Sequence, residues 1–184
     1  MRVRFVGSFK KDFPKGDGRK HVVFAGRSNV GKSSLINMMV GQDVARVSKE
    51  PGRTRSVNFF LIEDYHVYLV DLPGYGFAKV SKEEREEWRT MIEDYFKSCW
   101  EYIRVVFLLI DSLVGPTELD VKAIEWFEGL RLPYMIVLTK CDRATQKDIH
   151  QAVEKVKEVS QAALIKTSFK EGRGKKELLR YALG

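Results

Sequence analysis

The fold of this 184-residue chain is decided by the stretch Gly26-Arg27-Ser28-Asn29-Val30-Gly31-Lys32-Ser33. It has the spacing GxxxxGK[ST] and lies between an apolar run and a helical pattern, the context that a phosphate-binding P-loop requires. The glycines let backbone N–H groups turn toward a phosphate, and the helix N-terminus adds partial positive charge. The motif predicts that Lys32 reaches the β- and γ-phosphates of a nucleotide and that Ser33 binds Mg²⁺. An ordinary glycine-rich turn is the alternative.

Apolar runs alternate with helical patterns along the rest of the chain. The pattern predicts strands at residues 21–25, 57–62, 66–70, 103–110, 134–138 and 163–166. It predicts helices at residues 32–40 and 175–182 and after Ser81, Thr117 and Thr145. This order describes an α/β protein of Ras-like P-loop fold, with a six-stranded, mostly parallel sheet flanked by helices on both faces. Because ligands of such sheets lie beyond the carboxyl ends of the strands, site residues should follow the strands.

Charge is concentrated at the two ends of the chain. The net charge is +7, with seven Lys/Arg against two Asp in residues 1–20 and six Lys/Arg against two Glu in residues 164–184. We therefore divide the chain into a basic N-terminal extension, residues 1–20, and a P-loop domain, residues 21–184. Basic ends beside a nearly neutral body favour contact with a nucleic-acid backbone, and solvated surface charge is the alternative.

Cysteine usage and hydropathy bear on the compartment. The two cysteines, Cys99 and Cys141, lie 42 positions apart and match neither a zinc site nor a disulfide framework. No apolar run approaches the roughly 18 residues of a membrane span, and the N-terminus lacks the apolar core of a signal peptide. We expect a cytoplasmic monomer with no membrane span.

An acidic motif follows the predicted hairpin. Asp71 closes an apolar strand, and Gly74 follows three residues later in Asp71-Leu72-Pro73-Gly74. We expect Asp71 to hold Mg²⁺ through a water and the amide of Gly74 to sense the γ-phosphate. DxxG alone is a weak motif, so its weight comes from its position one hairpin after the P-loop.

Base identity is predicted from the end of the fifth strand, Thr139-Lys140-Cys141-Asp142. The Asp142 carboxylate can accept from both N1–H and N2–H₂ of guanine, whereas adenine has no N1–H. The usual first residue of this element is Asn, so Thr139 is expected to weaken the tether to the P-loop. Lys140 should lie against the base, and Cys141 should face inward as a small apolar filler. The backbone of Thr167, Ser168 and Phe169 could meet the guanine O6.

A polar loop between the first helix and the hairpin has the character of a nucleotide-dependent switch. It contains Gly52, Arg53, Thr54, Arg55 and Ser56. We expect a loop hydroxyl to bind Mg²⁺ beside the γ-phosphate, with Thr54 as the choice and Ser56 as the competing candidate. Arg53 and Arg55 could act as arginine fingers or contact phosphate or RNA.

Together these motifs resemble the EngB (YihA/YsxC) family of bacterial ribosome-assembly GTPases, within the TRAFAC class of P-loop GTPases. The most distinctive stretch is Asp71-Leu72-Pro73-Gly74-Tyr75-Gly76-Phe77-Ala78, and the Thr at the base motif is similar to what this family uses. The resemblance runs from about residue 20 to the C-terminus. It implies a Mg²⁺-dependent GTPase that acts in maturation of the large ribosomal subunit and is linked to cell division and septation.

The resemblance also implies where nucleotide and metal would bind. Nucleotide contacts would fall on residues 26–33, 52–56, 71–74, 139–142 and 167–169, with Mg²⁺ on Ser33 and Thr54. The residues expected to act in hydrolysis are Lys32, Thr54, Asp71 and Gly74. Expected partners are GTP and GDP and the large ribosomal subunit with its RNA.

Hydrolysis should be slow, because the residue after DxxG is Tyr75, where Ras-like GTPases carry a water-orienting glutamine. A partner or a monovalent cation could complete the site, since Asn29 resembles the Asn that binds K⁺ in some related GTPases. Two other functions stay open. A P-loop ATPase or small-molecule kinase would have no use for Asp142, and a non-hydrolysing GTP-gated scaffold would keep every motif.

Overall fold

The computed structural model describes residues 1–46, 56–76 and 80–184. Within these residues a seven-stranded sheet lies between two layers of helices. The strands are β1 (Val3–Phe9), β2 (Lys20–Gly26), β3 (Val57–Ile62), β4 (Val67–Asp71), β5 (Ile103–Asp111), β6 (Tyr134–Thr139) and β7 (Leu164–Lys166). The helices are α1 (Lys32–Val40), α2 (Lys82–Cys99), α3 (Glu118–Gly129), α4 (Gln146–Val159) and α5 (Lys175–Leu183), with short 3-10 turns at Glu63–Tyr65 and Trp100–Tyr102.

The strand order β1-β3-β4-β2-β5-β6-β7 is that of a mostly parallel, doubly wound sheet. Strands β4, β2, β5, β6 and β7 run parallel to one another, and β3 and β1 add an antiparallel edge. The Ras-like α/β fold predicted from the sequence is therefore confirmed. All the parallel strands end at one edge of the sheet, where the loops that carry the motifs meet.

The prediction of six strands was wrong by one, because β1 adds an edge strand within residues 1–20. It pairs antiparallel with β3, from Val3 opposite Ile62 to Phe9 opposite Val57, with an irregularity between Phe5 and Gly7. An edge strand of mixed exposure and basic composition carries a weaker pattern than a buried parallel strand. The division of the chain at residue 20 stays a prediction, although this segment shares its sheet with the rest of the chain.

The two faces of the sheet bury separate apolar cores. Helices α2, α3 and α4 cover one face, and α1 and α5 cover the other. Helix α2 presents an apolar stripe to this core: Met91, Ile92, Tyr95 and Phe96 are buried, and Trp88 is half-buried against them. A capping box between Ser81 and Glu84 begins α2, and the helix predicted after Ser81 is confirmed. These packed layers hold the strand ends, and so the site loops, in a fixed frame.

Candidate nucleotide site

The P-loop connects β2 to α1 and presents the helix N-terminus at the sheet edge. Gly31 is the N-cap of α1, with φ of 100° and no side-chain cap for the first amides of the helix. This left-handed conformation favours glycine, and uncapped amides at a helix N-terminus are donors for an anion. Ser33, two residues into the same turn, is half-buried. This local geometry suits residues 26–33 to the phosphate binding that the sequence predicts.

The lysine of the P-loop contacts the acid at the end of β4. Lys32 Nζ lies 2.5 Å from Asp71 Oδ1 and also donates to the carbonyl of Leu72. Their side chains are only 14% and 10% exposed. The structure thus brings together the two charged residues that the sequence assigned to phosphate and metal.

Residues 73–76, here called the Gly74 turn, pack directly on the P-loop. The Ser28 amide donates to the Tyr75 carbonyl over 2.8 Å, and the Tyr75 amide donates to the Gly26 carbonyl over 3.2 Å. A Cβ on Gly74 would lie 3.0 Å from the Ser28 nitrogen, so a larger residue would push the turn off the loop. Glycine at this position is therefore explained by close approach of two backbones.

The side chain of Tyr75 extends to α3 and α2. Its hydroxyl donates to Asp120 Oδ1 over 2.5 Å, and its ring meets Trp88 edge to face with centroids 6.3 Å apart. Burial, and after it the neighbouring Asp120 carboxylate, raises the pKa of Tyr75 far above its ordinary value. The hydroxyl is therefore a proton donor throughout the physiological range.

Thr139 makes the tether that the sequence led us to expect would be weak. Its hydroxyl donates to the Val30 carbonyl over 2.7 Å, although the two residues are 109 positions apart. Thr139 is 4% exposed, so the bond is shielded from water. The tether is present because β6 ends close enough to the P-loop for a short side chain to reach, and its weakness relative to an Asn stays a prediction.

Lys140 and Cys141 anchor opposite sides of residues 139–142, here called the base loop. Lys140 Nζ lies 3.0 Å from the Asn29 carbonyl and 3.0 Å from Asp111 Oδ2. Cys141 is buried, as expected, and its amide donates to the Thr167 carbonyl over 3.1 Å. The base loop is thereby tied to the P-loop on one side and to the segment after β7 on the other.

Asp142 carries a buried acceptor without a protein partner. Among the residues that the structure describes, its Oδ1 atom is inaccessible to solvent and has no hydrogen-bond donor. Buried polar atoms normally have a partner, so an oxygen without one is unusual and sets Asp142 apart within the loop after β6. A carboxylate in this position suits the two N–H groups of a guanine edge.

The segment after β7 is already engaged within the protein. The Thr167 amide donates to Leu138, and the Ser168 amide donates to Arg173 over 3.2 Å. Phe169 is 43% exposed. The assignment of residues 167–169 to the guanine O6 stays a prediction.

Part of the expected switch loop is outside the described residues. Gly52, Arg53, Thr54 and Arg55 all fall there, and so does the expected magnesium role of Thr54. Ser56, the competing candidate, directly precedes β3 and is half-buried. The choice between the two hydroxyls stays a prediction.

Comparison with known proteins agrees with this geometry. Residues 21–140 match the family described as 50S ribosome-binding GTPase (MMR_HSR1). Over 180 residues the chain is 54% identical to a probable GTP-binding protein EngB of Aquifex aeolicus (strain VF5), with 97% of each chain covered. It is 47% identical over 162 residues to a probable GTP-binding protein EngB of Thermotoga sp. (strain RQ2), covering 86% of this chain and 82% of that one.

The chain belongs to the EngB family of GTP-binding proteins. A crystal structure of a probable GTP-binding protein EngB superposes with a TM-score of 0.70 at 28% identity, covering 88% of this chain and 95% of that chain. The predicted family, the GTPase domain and its P-loop are confirmed. Across the described ranges, no helix is both long and apolar enough to cross a membrane.

Some residues that shape this EngB site were missed by sequence reasoning. Asp111 and Asp120 hold Lys140 and Tyr75, and the Trp88 indole donates to the Pro73 carbonyl over 3.2 Å. In the sequence Asp120 is indistinguishable from the acidic residue of a helix cap. Trp88 reads as one member of an apolar stripe. Neither pattern carries a signal for contact with the Gly74 turn.

Proposed function

We propose that this EngB-family protein is a slow, Mg²⁺-dependent GTPase that acts as a nucleotide-controlled switch in assembly of the large ribosomal subunit. The match to a family described as 50S ribosome-binding GTPase supports the partner. The observation that carries the proposal is that Met1 and Lys175, one from each basic end of the chain, both lie at the C-terminal end of α1. We propose the cytoplasm as its compartment and link it to cell division and septation through ribosome supply.

The approach of the two ends is seen around Gly41 and Gln42, which follow α1. Gln42 Nε2 donates to the Met1 carbonyl over 2.6 Å, and Lys175 Nζ is 3.8 Å from the position of a Cβ on Gly41. Arg2 and Arg4 pair with acidic residues of the 3-10 turn after β3. The exposed lysines at positions 10, 11, 170 and 176 remain for a phosphate backbone.

Guanine recognition is assigned to Asp142. Its buried Oδ1 lacks a donor among the described residues, and a guanine edge would supply one. Adenine offers a lone pair instead of N1–H, so ATP would leave the carboxylate unpaired at a cost of about 1–3 kcal/mol or more. Competition between GTP and ATP for binding separates this assignment from a P-loop ATPase or kinase.

The residues present fit Mg²⁺. This ion prefers hard oxygen ligands and keeps several waters, and the site offers the Ser33 hydroxyl and the Asp71 carboxylate. In the described ranges no group of three or more His, Cys, Asp or Glu could hold a metal, which suits an ion held largely by hydroxyl, water and phosphate oxygens. Bound there, Mg²⁺ would neutralise phosphate charge. Lys32 would turn from Asp71 to the phosphates.

The orientation of the Tyr75 side chain supports slow hydrolysis. Its hydroxyl is committed to Asp120, and a phenol with a raised pKa is a poor base for an attacking water. Phosphoryl transfer depends on positioning and electrostatics, so a site whose residue after Gly74 does not orient the attacking water should turn over slowly. Single-turnover hydrolysis separates a slow GTPase from a non-hydrolysing scaffold.

A monovalent cation is the alternative to a partner protein as the group that completes the site for GTP hydrolysis. Asn29 is exposed at the P-loop, with its backbone carbonyl held by Lys140. Turnover in K⁺ and Na⁺ tests this version, and equal rates would exclude it.

Sedimentation with large-subunit precursors tests the partner. We expect co-sedimentation with GTP, less with GDP, and a steep loss as salt rises, because basic residues that contact RNA phosphates release counterions. Charge reversal at Lys10 and Lys11 should weaken binding and flatten the salt dependence. Lys147→Glu on α4, which covers the opposite face of the sheet, serves as the control. Binding that ignores both nucleotide and salt would contradict the proposal.

A further inference from the structure

The Gly74 turn is connected to α3 through one buried side-chain pair. Asp120 is 2% exposed, and its two oxygens face different partners. Oδ1 accepts from the Tyr75 hydroxyl, while Oδ2 accepts from the amide and the hydroxyl of Thr117 over 2.8 Å and 3.0 Å. One carboxylate therefore both caps α3 and holds the residue that follows Gly74.

The capping role alone does not require the contact with Tyr75. Thr145 and Asp148 form the same kind of box at the start of α4. There the Asp148 carboxylate accepts from the Thr145 amide, at an exposed site. The bond to Tyr75 is thus an addition to an ordinary cap, at the one of these two helices that lies beside the Gly74 turn.

The same turn is fixed to the P-loop and to α2. Its backbone exchanges two hydrogen bonds with Gly26 and Ser28, and its Pro73 carbonyl accepts from Trp88. A short segment held at the P-loop, α2 and α3 cannot move at one of these contacts without straining the others. Displacement of Gly74 by a phosphate would therefore be felt at Asp120.

We propose that Asp120 is a positioning residue that acts through Tyr75 to set the place of the Gly74 amide over the P-loop. The hydrogen bond between Asp120 and Tyr75 thereby couples the γ-phosphate to the N-terminus of α3. This inference rests on the proposed sensing of the γ-phosphate by Gly74. This hydrogen bond would give the switch a second surface that changes with the bound nucleotide, the start of α3, besides the loop before β3.

The coupling predicts a change in nucleotide preference when the bond is removed. Tyr75→Phe keeps the ring against Trp88 and deletes only the hydroxyl. We expect the affinity for a non-hydrolysable GTP analogue to fall about fivefold or more relative to GDP, the lower range for coupled sites. Asp120→Asn should shift the ratio in the same direction.

Two control variants distinguish loss of the coupling between Tyr75 and Asp120 from a general loss of structure. Tyr134→Phe removes another tyrosine hydroxyl, which pairs with Ser160 Oγ over 2.5 Å at the opposite end of β6 from the site, and should leave the ratio unchanged. Thr145→Ala weakens the matched cap of α4 without touching Asp120 or Tyr75, so it should lower stability and leave the ratio near wild type.

The closing experiment measures dissociation constants of the GTP analogue and GDP by calorimetry for wild type, Tyr75→Phe, Asp120→Asn, Thr145→Ala and Tyr134→Phe. A ratio that changes only in the Tyr75 and Asp120 variants supports the coupling. An unchanged ratio in those two variants, or a ratio that Thr145→Ala changes equally, overturns it. Gly74→Ala tests the underlying assumption separately, because a wild-type ratio in that variant would refute sensing by Gly74 itself.

Discussion

The base side and the phosphate side of this site are built in different ways. On the base side, Thr139 and Lys140 bond to backbone carbonyls of the P-loop, at Val30 and Asn29. On the phosphate side, the Gly74 turn has two backbone bonds to the P-loop and in addition depends on side chains of α2 and α3, contributed by Trp88 and Asp120. Backbone targets are supplied by any sequence with the right fold, whereas side-chain partners must be specified. We therefore propose that the base side is fixed and that the phosphate side responds to the bound nucleotide.

The largest effect should come from the base side, at Asp142. Asp142→Asn replaces one acceptor oxygen with a donor that faces the N–H groups of guanine. We expect affinity for GTP and GDP to fall together by about 100-fold, since lost bonds to a charged group cost roughly 1.5–3 kcal/mol each. Fluorescence titration with labelled nucleotides measures this. Asp94→Asn, an exposed carboxylate on α2, is the control, and near-normal affinity in Asp142→Asn would refute the assignment.

Lowering the pH should destabilise the fold that holds both the base side and the phosphate side of the site. His21 is fully buried in β2, with Nδ1 2.8 Å from the Tyr95 hydroxyl, and burial lowers its pKa to about 4 from an ordinary value of 6.5. Between these values the unfolded chain binds more protons, so stability falls as pH drops from about 6.5 toward 4. From pH 7 to pH 5 the loss due to His21 should be about 2 kcal/mol.

Urea unfolding at the two pH values tests this contribution. His21→Gln removes the titrating ring, so the difference between pH 7 and pH 5 should shrink by about 2 kcal/mol. Carboxylates titrate in both proteins and cancel in the comparison. An equal pH dependence in the variant would contradict a buried, neutral His21.

Thr139 should affect both nucleotides alike. Thr139→Val preserves shape and removes the bond to the Val30 carbonyl, at a cost of about 1–2 kcal/mol. We expect GTP and GDP affinities to fall together by about five- to tenfold, with their ratio unchanged. Thr90→Val makes the same chemical change at an exposed position of α2. A changed ratio in Thr139→Val would mean that the base side also senses the γ-phosphate.

The smallest effect should come from Trp88. Trp88→Phe keeps an aromatic ring beside Tyr75 and removes the bond to the Pro73 carbonyl, worth about 0.5–1 kcal/mol. We expect the GTP to GDP affinity ratio to fall about two- to fivefold. Trp100→Phe is a matched control, because Trp100 donates in the same way to the Leu130 carbonyl, outside the site. Equal GTP to GDP affinity ratios in Trp88→Phe and Trp100→Phe would mean that α2 does not help to position the Gly74 turn.

The sequence reveals the site residues at strand ends better than the contacts between packed elements, for a physical reason. The P-loop, Asp71 and Asp142 stand at strand ends, where local patterns and parallel-sheet geometry suffice to place them together. The strength of the Thr139 tether depended on a distance between residues 109 positions apart. The pairing of Tyr75 with Asp120 depended on how α3 packs. Edge strand β1 was missed because its exposed, basic pattern is not that of a buried strand.

Nucleotide preference in two variants is the most direct test of a fixed base side and a responsive phosphate side. Dissociation constants for GDP and a GTP analogue should be measured for Thr139→Val and Tyr75→Phe in parallel. The account predicts that Thr139→Val weakens both nucleotides equally and that Tyr75→Phe lowers the GTP to GDP affinity ratio about fivefold or more. The reverse pattern, or equal ratios in both variants, would contradict it.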